Sequence, residues 1–76
     1  MKEVFIQKLL EVFENEEKVI NLEDKFRDYE EWDSLTYLSV IAMIDSEFDV
    51  IIETSDFKKI ETVGELMSEV QKRIKK

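Results

Sequence analysis

A chain of 76 residues with no proline and a single glycine, Gly64, lacks most of the devices that break and redirect a backbone. Proline fixes φ and glycine supplies left-handed turns, and both sheets and flexible linkers draw on them heavily. No low-complexity segment and no internal repeat stands in their place. The chain is therefore expected to be all-α, helices joined by polar loops, in one domain over residues 1–76. This length allows a single core, although a domain of this size buries only about 60% of its unfolded surface.

The apolar spacing gives the elements. Residues 3–14 place Phe5, Ile6, Leu9, Leu10, Val12 and Phe13 at intervals of three and four, one broad helical stripe that Asn15 is expected to stop. From Glu16 to Trp32 the period is lost, yet Val19, Ile20, Leu22, Phe26, Tyr29 and Trp32 recur often enough to pin a long loop onto the core. Such a loop needs a reason. Residues 34–48 recover helical spacing through Leu35, Leu38, Ile41, Ala42, Ile44 and Phe48, after an Asp33 or Ser34 able to cap the free N–H groups. Asp49 tolerates a left-handed helix end, and the β-branched run Val50-Ile51-Ile52 suits an extended segment. Ser55 is expected to cap a short helix carrying Phe57 and Ile60. Thr62-Val63-Gly64-Glu65 reads as a capping box for a last helix that reaches about Ile74 through Val63, Leu66, Met67 and Val70. The sum is a bundle of three long helices and one short one, with the long loop between the first two.

Charge and missing residue types narrow the function. The net charge is −8, and Asp28 to Phe57 holds nine acidic residues and no basic one, so nucleic acid is repelled and partners with basic surfaces are expected. Lys72, Arg73, Lys75 and Lys76 suit the negative end of a final helix dipole. With no cysteine there are no disulfides or thiolate zinc sites, and with no histidine the usual near-neutral acid and base is missing. Paired acids such as Glu30 and Glu31, or Asp45 and Asp49, read as solvated charge, so an enzyme is not expected. Asp45 to Asp49 lacks the glycine and the distal glutamate of a calcium loop, and no metal is assigned. The longest apolar run, Val40 to Ile44, is far short of a membrane span, and Met1-Lys2-Glu3 opens no secretory signal. A cytoplasmic monomer is expected.

One tripeptide stands out against this background: Asp33-Ser34-Leu35, at the point where the long loop meets the second helix. Alone it is an ordinary helix start. In order with Trp32 before it, Glu47-Phe48-Asp49 closing the helix and Lys59-Ile60-Glu61-Thr62-Val63 opening the last, it resembles the acyl carrier protein family. Residues 33–70 lie on the family pattern without a gap; residues 1–32 match in helix length, loop length and the position of Phe26. The resemblance implies that Ser34 carries 4′-phosphopantetheine, transferred from coenzyme A by a phosphopantetheinyl transferase, and that the arm's thiol holds an acyl or aminoacyl thioester. Asp33 would cap the corner and Leu35 would anchor the helix start in the core. Physical chemistry agrees with a phosphodiester at this place, since a helix start offers unpaired N–H groups and the positive end of the dipole. The arm supplies the reactive sulfur, so the lack of cysteine and histidine is no obstacle.

Other positions depart from the fatty-acid pattern within that family. Thr36 and Ser39 stand where exposed carboxylates are usual, Tyr37 adds a ring beside the serine, and Trp32 replaces a small residue. The acidity sits instead on Glu30, Glu31, Asp45, Glu47 and Asp49; with Thr36 and Tyr37, Glu30, Glu31, Asp45 and Glu47 are the expected contacts to the loading enzyme and downstream transferases. Phe57 and Leu66 occupy positions where long-chain carriers have small side chains, which implies short, polar or aminoacyl cargo. Glu53 replaces a family proline. Two readings compete with a specialised carrier: a housekeeping fatty-acid carrier, and an acidic helical interaction module in which Ser34 is only part of a helix start.

Overall fold

The computed structural model describes residues 2–15 and 17–74. Among these, four helices follow in order, α1 (Lys2–Phe13), α2 (Ser34–Phe48), α3 (Thr54–Phe57) and α4 (Val63–Arg73), with a 3-10 turn over Phe26–Asp28 and no strand. The described residues thus have the expected all-α bundle of three long helices and one short, with the long connection between α1 and α2. None of these helices is long and apolar enough to cross a membrane. Lys75 and Lys76 of the basic C-terminal cluster lie outside the described residues; within it, Arg73 pairs with Asp56 at 3.2 Å and Glu69 at 3.3 Å.

The ends of α2 and the start of α4 follow their local chemistry, while α1 and α3 depart from it. Glu14 takes a left-handed conformation, φ 56°, so the turn falls one residue before the expected stop at Asn15. The Asn15 N–H then reaches back to the Leu10 carbonyl at 3.3 Å, satisfying a C-terminal orphan. Asp49 closes α2 in the left-handed region, φ 56° and ψ 43°, as its short polar side chain allows. The capping box at α4 is complete: Thr62 Oγ1 accepts from the Glu65 N–H at 3.1 Å, and Glu65 Oε1 accepts from the N–H of Thr62 at 3.0 Å and of Glu61 at 2.8 Å. Ser55 does not cap α3. That helix starts at Thr54, two residues before a Ser55 cap would start it, sits behind Glu53 without a side-chain cap, and ends at Phe57, so that the expected Ile60 lies beyond it.

The core joins Phe5, Leu9 and Phe13 of α1 to Val40 and Ile44 of α2 and to Val63, Leu66 and Val70 of α4. Three expected core residues of α2 are outside it: Leu35 is 73% exposed, Leu38 59%, and Ala42 is exposed too. The core-facing stripe keeps the expected Ile41, Ile44 and Phe48 and adds Tyr37 and Val40, with Met43 beside it; Val40, Met43 and Ile44 are buried and the others half-buried. Val19, expected to help pin the loop, is exposed as well. Ile51 faces solvent while Val50 and Ile52 are buried, which is the alternation of an extended chain.

The loop is tied to α4 by backbone. The first-turn N–H groups of Val63 and Gly64 donate to the carbonyls of Asp24 at 2.9 Å and Leu22 at 2.8 Å, orphan donors of the helix satisfied from outside it. This close approach is why residue 64 is glycine. A Cβ there would stand 3.0 Å from the Leu22 carbonyl oxygen and 3.3 Å from Leu22 Cβ. Gly64→Ala should gain up to about 1 kcal/mol of helix propensity and lose roughly 1–3 kcal/mol to crowding. A net loss is expected, read as a lower denaturant midpoint; an unchanged or higher midpoint would show that the loop gives way.

Candidate functional site

The long loop delivers the chain to α2 at one corner. Asp33 is extended, φ −154°, and its carboxylate accepts the Thr36 N–H at 2.7 Å. That bond is the main reason its carboxyl is held below the usual range. The Thr36 hydroxyl turns back to donate to the Glu31 carbonyl at 2.7 Å, fastening the loop to the same corner from the other side. Ser34, the first residue of α2, is exposed between these two ties. Its position is fixed by its neighbours and its hydroxyl is left accessible.

The residues around it divide differently from the expectation. Leu35 does not anchor the helix start; it points outward, because α2 is apolar on both faces and the Tyr37 stripe fits the core. Leu38 and Asp45 follow Ser34 at four and eleven residues, so all three lie along one exposed flank. Thr36 is half-buried and its hydroxyl is engaged with the loop. Tyr37 is half-buried too, and its hydroxyl lies 3.3 Å from that of Thr54 on α3.

The acidic surface is partly neutralised from within. Glu31 pairs with Lys18 at 3.1 Å and accepts from Asn15 at 3.4 Å; its own N–H, then these two side chains, hold its carboxyl below the usual range. Glu47 pairs with Lys8 of α1 at 3.3 Å, on the side of α2 away from Ser34. Glu30 and Asp45 are exposed, and among the described residues no ion pair reaches them. Of the four carboxylates expected to meet partners, these two are left available.

Behind the corner lies an aromatic cluster. Trp32 stacks on Phe57 at 6.2 Å and 6°, Tyr37 meets Phe57 edge-on at 5.0 Å, and Phe26 packs against both Trp32 and Phe57. Phe57 and Leu66 are 2% and 1% exposed, so the interior between α2, α3 and α4 is filled by bulky side chains. Arg27, which sequence reasoning passed over, locks the cluster. It donates to the Ile60 carbonyl and, at 2.8 Å, to the Phe57 carbonyl, with its guanidinium over the Phe26 and Phe57 rings.

Comparison with known proteins decides the family. The sequence model of the phosphopantetheine attachment site matches residues 3–70. The chain belongs to that family. Its fold is also that of an acyl carrier protein: the solution structure of the holo acyl carrier protein from Geobacter metallireducens superimposes with a TM-score of 0.83 at 22% identity, covering 93% of this chain and 82% of that one. The protein is thus a phosphopantetheine-binding carrier domain, a holder of acyl thioesters and not a catalyst. The corner fits the group sterically, since an accessible hydroxyl sits beside first-turn N–H groups that favour a phosphate.

Four of the carboxyls in this framework, Asp24, Glu31, Asp33 and Glu65, are held below their ordinary values of 3.8 for Asp and 4.5 for Glu, Asp24 chiefly by the Tyr29 hydroxyl at 2.7 Å and Glu65 by the Glu61 and Thr62 N–H groups. The folded state therefore binds fewer protons than the unfolded one at these groups. Their stabilisation is complete above the unfolded values and is lost as pH falls through the folded ones. Melting temperature should hold or rise on mild acidification, as the net charge of −8 is relieved, and then fall below about pH 4. A melting temperature flat down to about pH 3 would contradict this account of the caps.

Proposed function

We propose that Ser34 is the attachment point of 4′-phosphopantetheine and that the carrier serves a specialised pathway with short, polar or aminoacyl cargo. The observation that supports the attachment point is the exposed Ser34 hydroxyl held between two ties, Asp33 to Thr36 and Thr36 to Glu31. When bound, the arm supplies the thiol on which cargo rides. The chain's own residues present it: Asp33 fixes the corner, and Leu35, Leu38, Glu30 and Asp45 offer an apolar and acidic surface to a phosphopantetheinyl transferase and to loading and downstream enzymes with basic faces. Burial of Phe57 and Leu66 supports the cargo reading, because a packed interior resists a long acyl tail.

Intact mass after incubation with a phosphopantetheinyl transferase and coenzyme A tests the attachment. An unchanged mass refutes it and leaves a helical interaction module. For the cargo, arms loaded with acetyl and octanoyl groups should give matching amide shifts around Phe57 and Leu66. Large shifts seen with octanoyl alone would favour a housekeeping fatty-acid carrier.

A further inference from the structure

The long loop between α1 and α2 is closed across its two ends by an ion pair. Lys18 Nζ lies 3.1 Å from Glu31 Oε1, and the two side chains are only 18% and 26% exposed. The Lys18 ammonium also stands 4.0 Å from the centroid of the Tyr29 ring, which meets Phe13 of α1 edge-on at 5.6 Å. Glu31 Oε1 is shut off from solvent, and the other carboxylate oxygen accepts from the Asn15 amide at 3.4 Å. Exposed pairs contribute little to a fold, whereas losing one partner of a sheltered pair strands the other charge. Glu31 works in two directions at once. Its side chain holds the front of the loop, and its backbone carbonyl accepts the Thr36 hydroxyl at 2.7 Å. Thr36 in turn gives its N–H to Asp33. The contacts therefore run from Lys18 through Glu31 and Thr36 to Asp33, and Ser34 sits between the last two.

We propose that Lys18 and Glu31 are positioning residues for phosphopantetheine transfer: their ion pair fixes the end of the long loop and, through Thr36, fixes where the Ser34 hydroxyl stands. The inference rests on the reading of Ser34 as the attachment point, and it takes Glu31 out of the carboxylates expected to meet partners. In the transfer the Ser34 oxygen bonds to phosphorus and adenosine 3′,5′-bisphosphate leaves coenzyme A, while the hydroxyl proton goes to solvent. Such a displacement depends on where the oxygen stands, and a misplacement of about 1 Å costs as much as about 100-fold. Docking through Leu35, Leu38, Glu30 and Asp45 does not use the pair, so the loss falls on kcat. Two charge changes separate positioning from direct contact. Lys18→Met keeps an apolar stem on Tyr29 and makes the chain more acidic, which favours docking to a basic enzyme; Glu31→Gln makes it less acidic. Direct contact moves KM in opposite directions for the two, whereas positioning lowers kcat in both.

The test uses the full chain as the varied substrate of a phosphopantetheinyl transferase with saturating coenzyme A, followed by intact mass. Lys18→Met and Glu31→Gln should each lower kcat about three- to tenfold and leave KM within about twofold. The double variant should be no worse than the poorer single one, since both break the same contact. Lys18→Arg keeps the charge and the ring contact and should retain the parent's kcat. Hydrogen exchange at the Thr36 amide should quicken in the two charge-removing variants, while the Leu66 and Val70 amides of α4 keep the parent's rates. Parent-like kcat in both variants, KM changes of opposite sign at unchanged kcat, or exchange that quickens equally along α4 would overturn the positioning role and leave Ser34 as the attachment point. No mass gain by the parent chain would overturn both.

Discussion

Ser34→Ala is expected to abolish mass gain in the presence of a phosphopantetheinyl transferase and coenzyme A, while leaving the melting temperature within a degree or two of the parent, as for a surface change of about 0.5 kcal/mol or less. The two halves of that result come from one observation. The side chain is exposed and, among the described residues, makes no hydrogen bond, so its removal is expected to cost the fold little and, if the proposal holds, all of the loading. Asp33→Ala should behave in the opposite sense. It removes the cap to the Thr36 N–H, costing about 1 kcal/mol, and loading should be slowed but not lost, since the hydroxyl remains. Comparable loading of Ser34→Ala and the parent would remove Ser34 from the proposal altogether.

Phe57→Ala is expected to be the most destabilising single change. Truncating a buried phenylalanine typically costs about 3–5 kcal/mol, against a total stability of roughly 4–11 kcal/mol for a chain of this length. At about 4–8 °C per kcal/mol, the melting temperature should fall by roughly 12–40 °C. The structure gives the reason for expecting the upper part of that range. Phe57 is 2% exposed, touches the rings of Phe26, Trp32 and Tyr37, and offers its carbonyl to Arg27. It also ends α3, a four-residue helix without a side-chain cap and too short to persist without its packing. Phe57→Leu keeps most of the volume and should cost less than about 1.5 kcal/mol. Equal losses for the two variants, measured by denaturant unfolding, would mean that the aromatic contacts, not the volume, carry the stability.

Local chemistry was readable from the sequence and long-range packing was not. The caps at Asp49 and Thr62 follow from residue type and spacing within five residues and are observed, and of the two candidates at α2 it is Asp33 that caps; Ser55, as good a candidate by type, does not cap α3. The orientation of α2 was misread because Leu35, Leu38 and Ala42 form a second apolar stripe as regular as the buried one, and periodicity cannot choose between two such faces. Arg27 was missed for a different reason. Its partners, the carbonyls of Phe57 and Ile60, lie 30 and 33 residues away, and no local pattern announces them. Arg27 and Lys58, the two ends of the base-free run, come to line one pocket, which no local pattern announces either.

The backbone bonds from α4 to the loop bear on when this protein becomes usable. The carbonyls of Leu22 and Asp24 are held by Gly64 and Val63, about forty residues later in the chain, so the loop gains these ties after nearly all other local structure is formed. On the ribosome, α1, α2 and α3 emerge before the residues that tether the segment leading to Ser34. The long loop is thus tethered to the bundle only once α4 is made, whereas the two ties that flank Ser34, Asp33 to Thr36 and Thr36 to Glu31, close within the few residues around it.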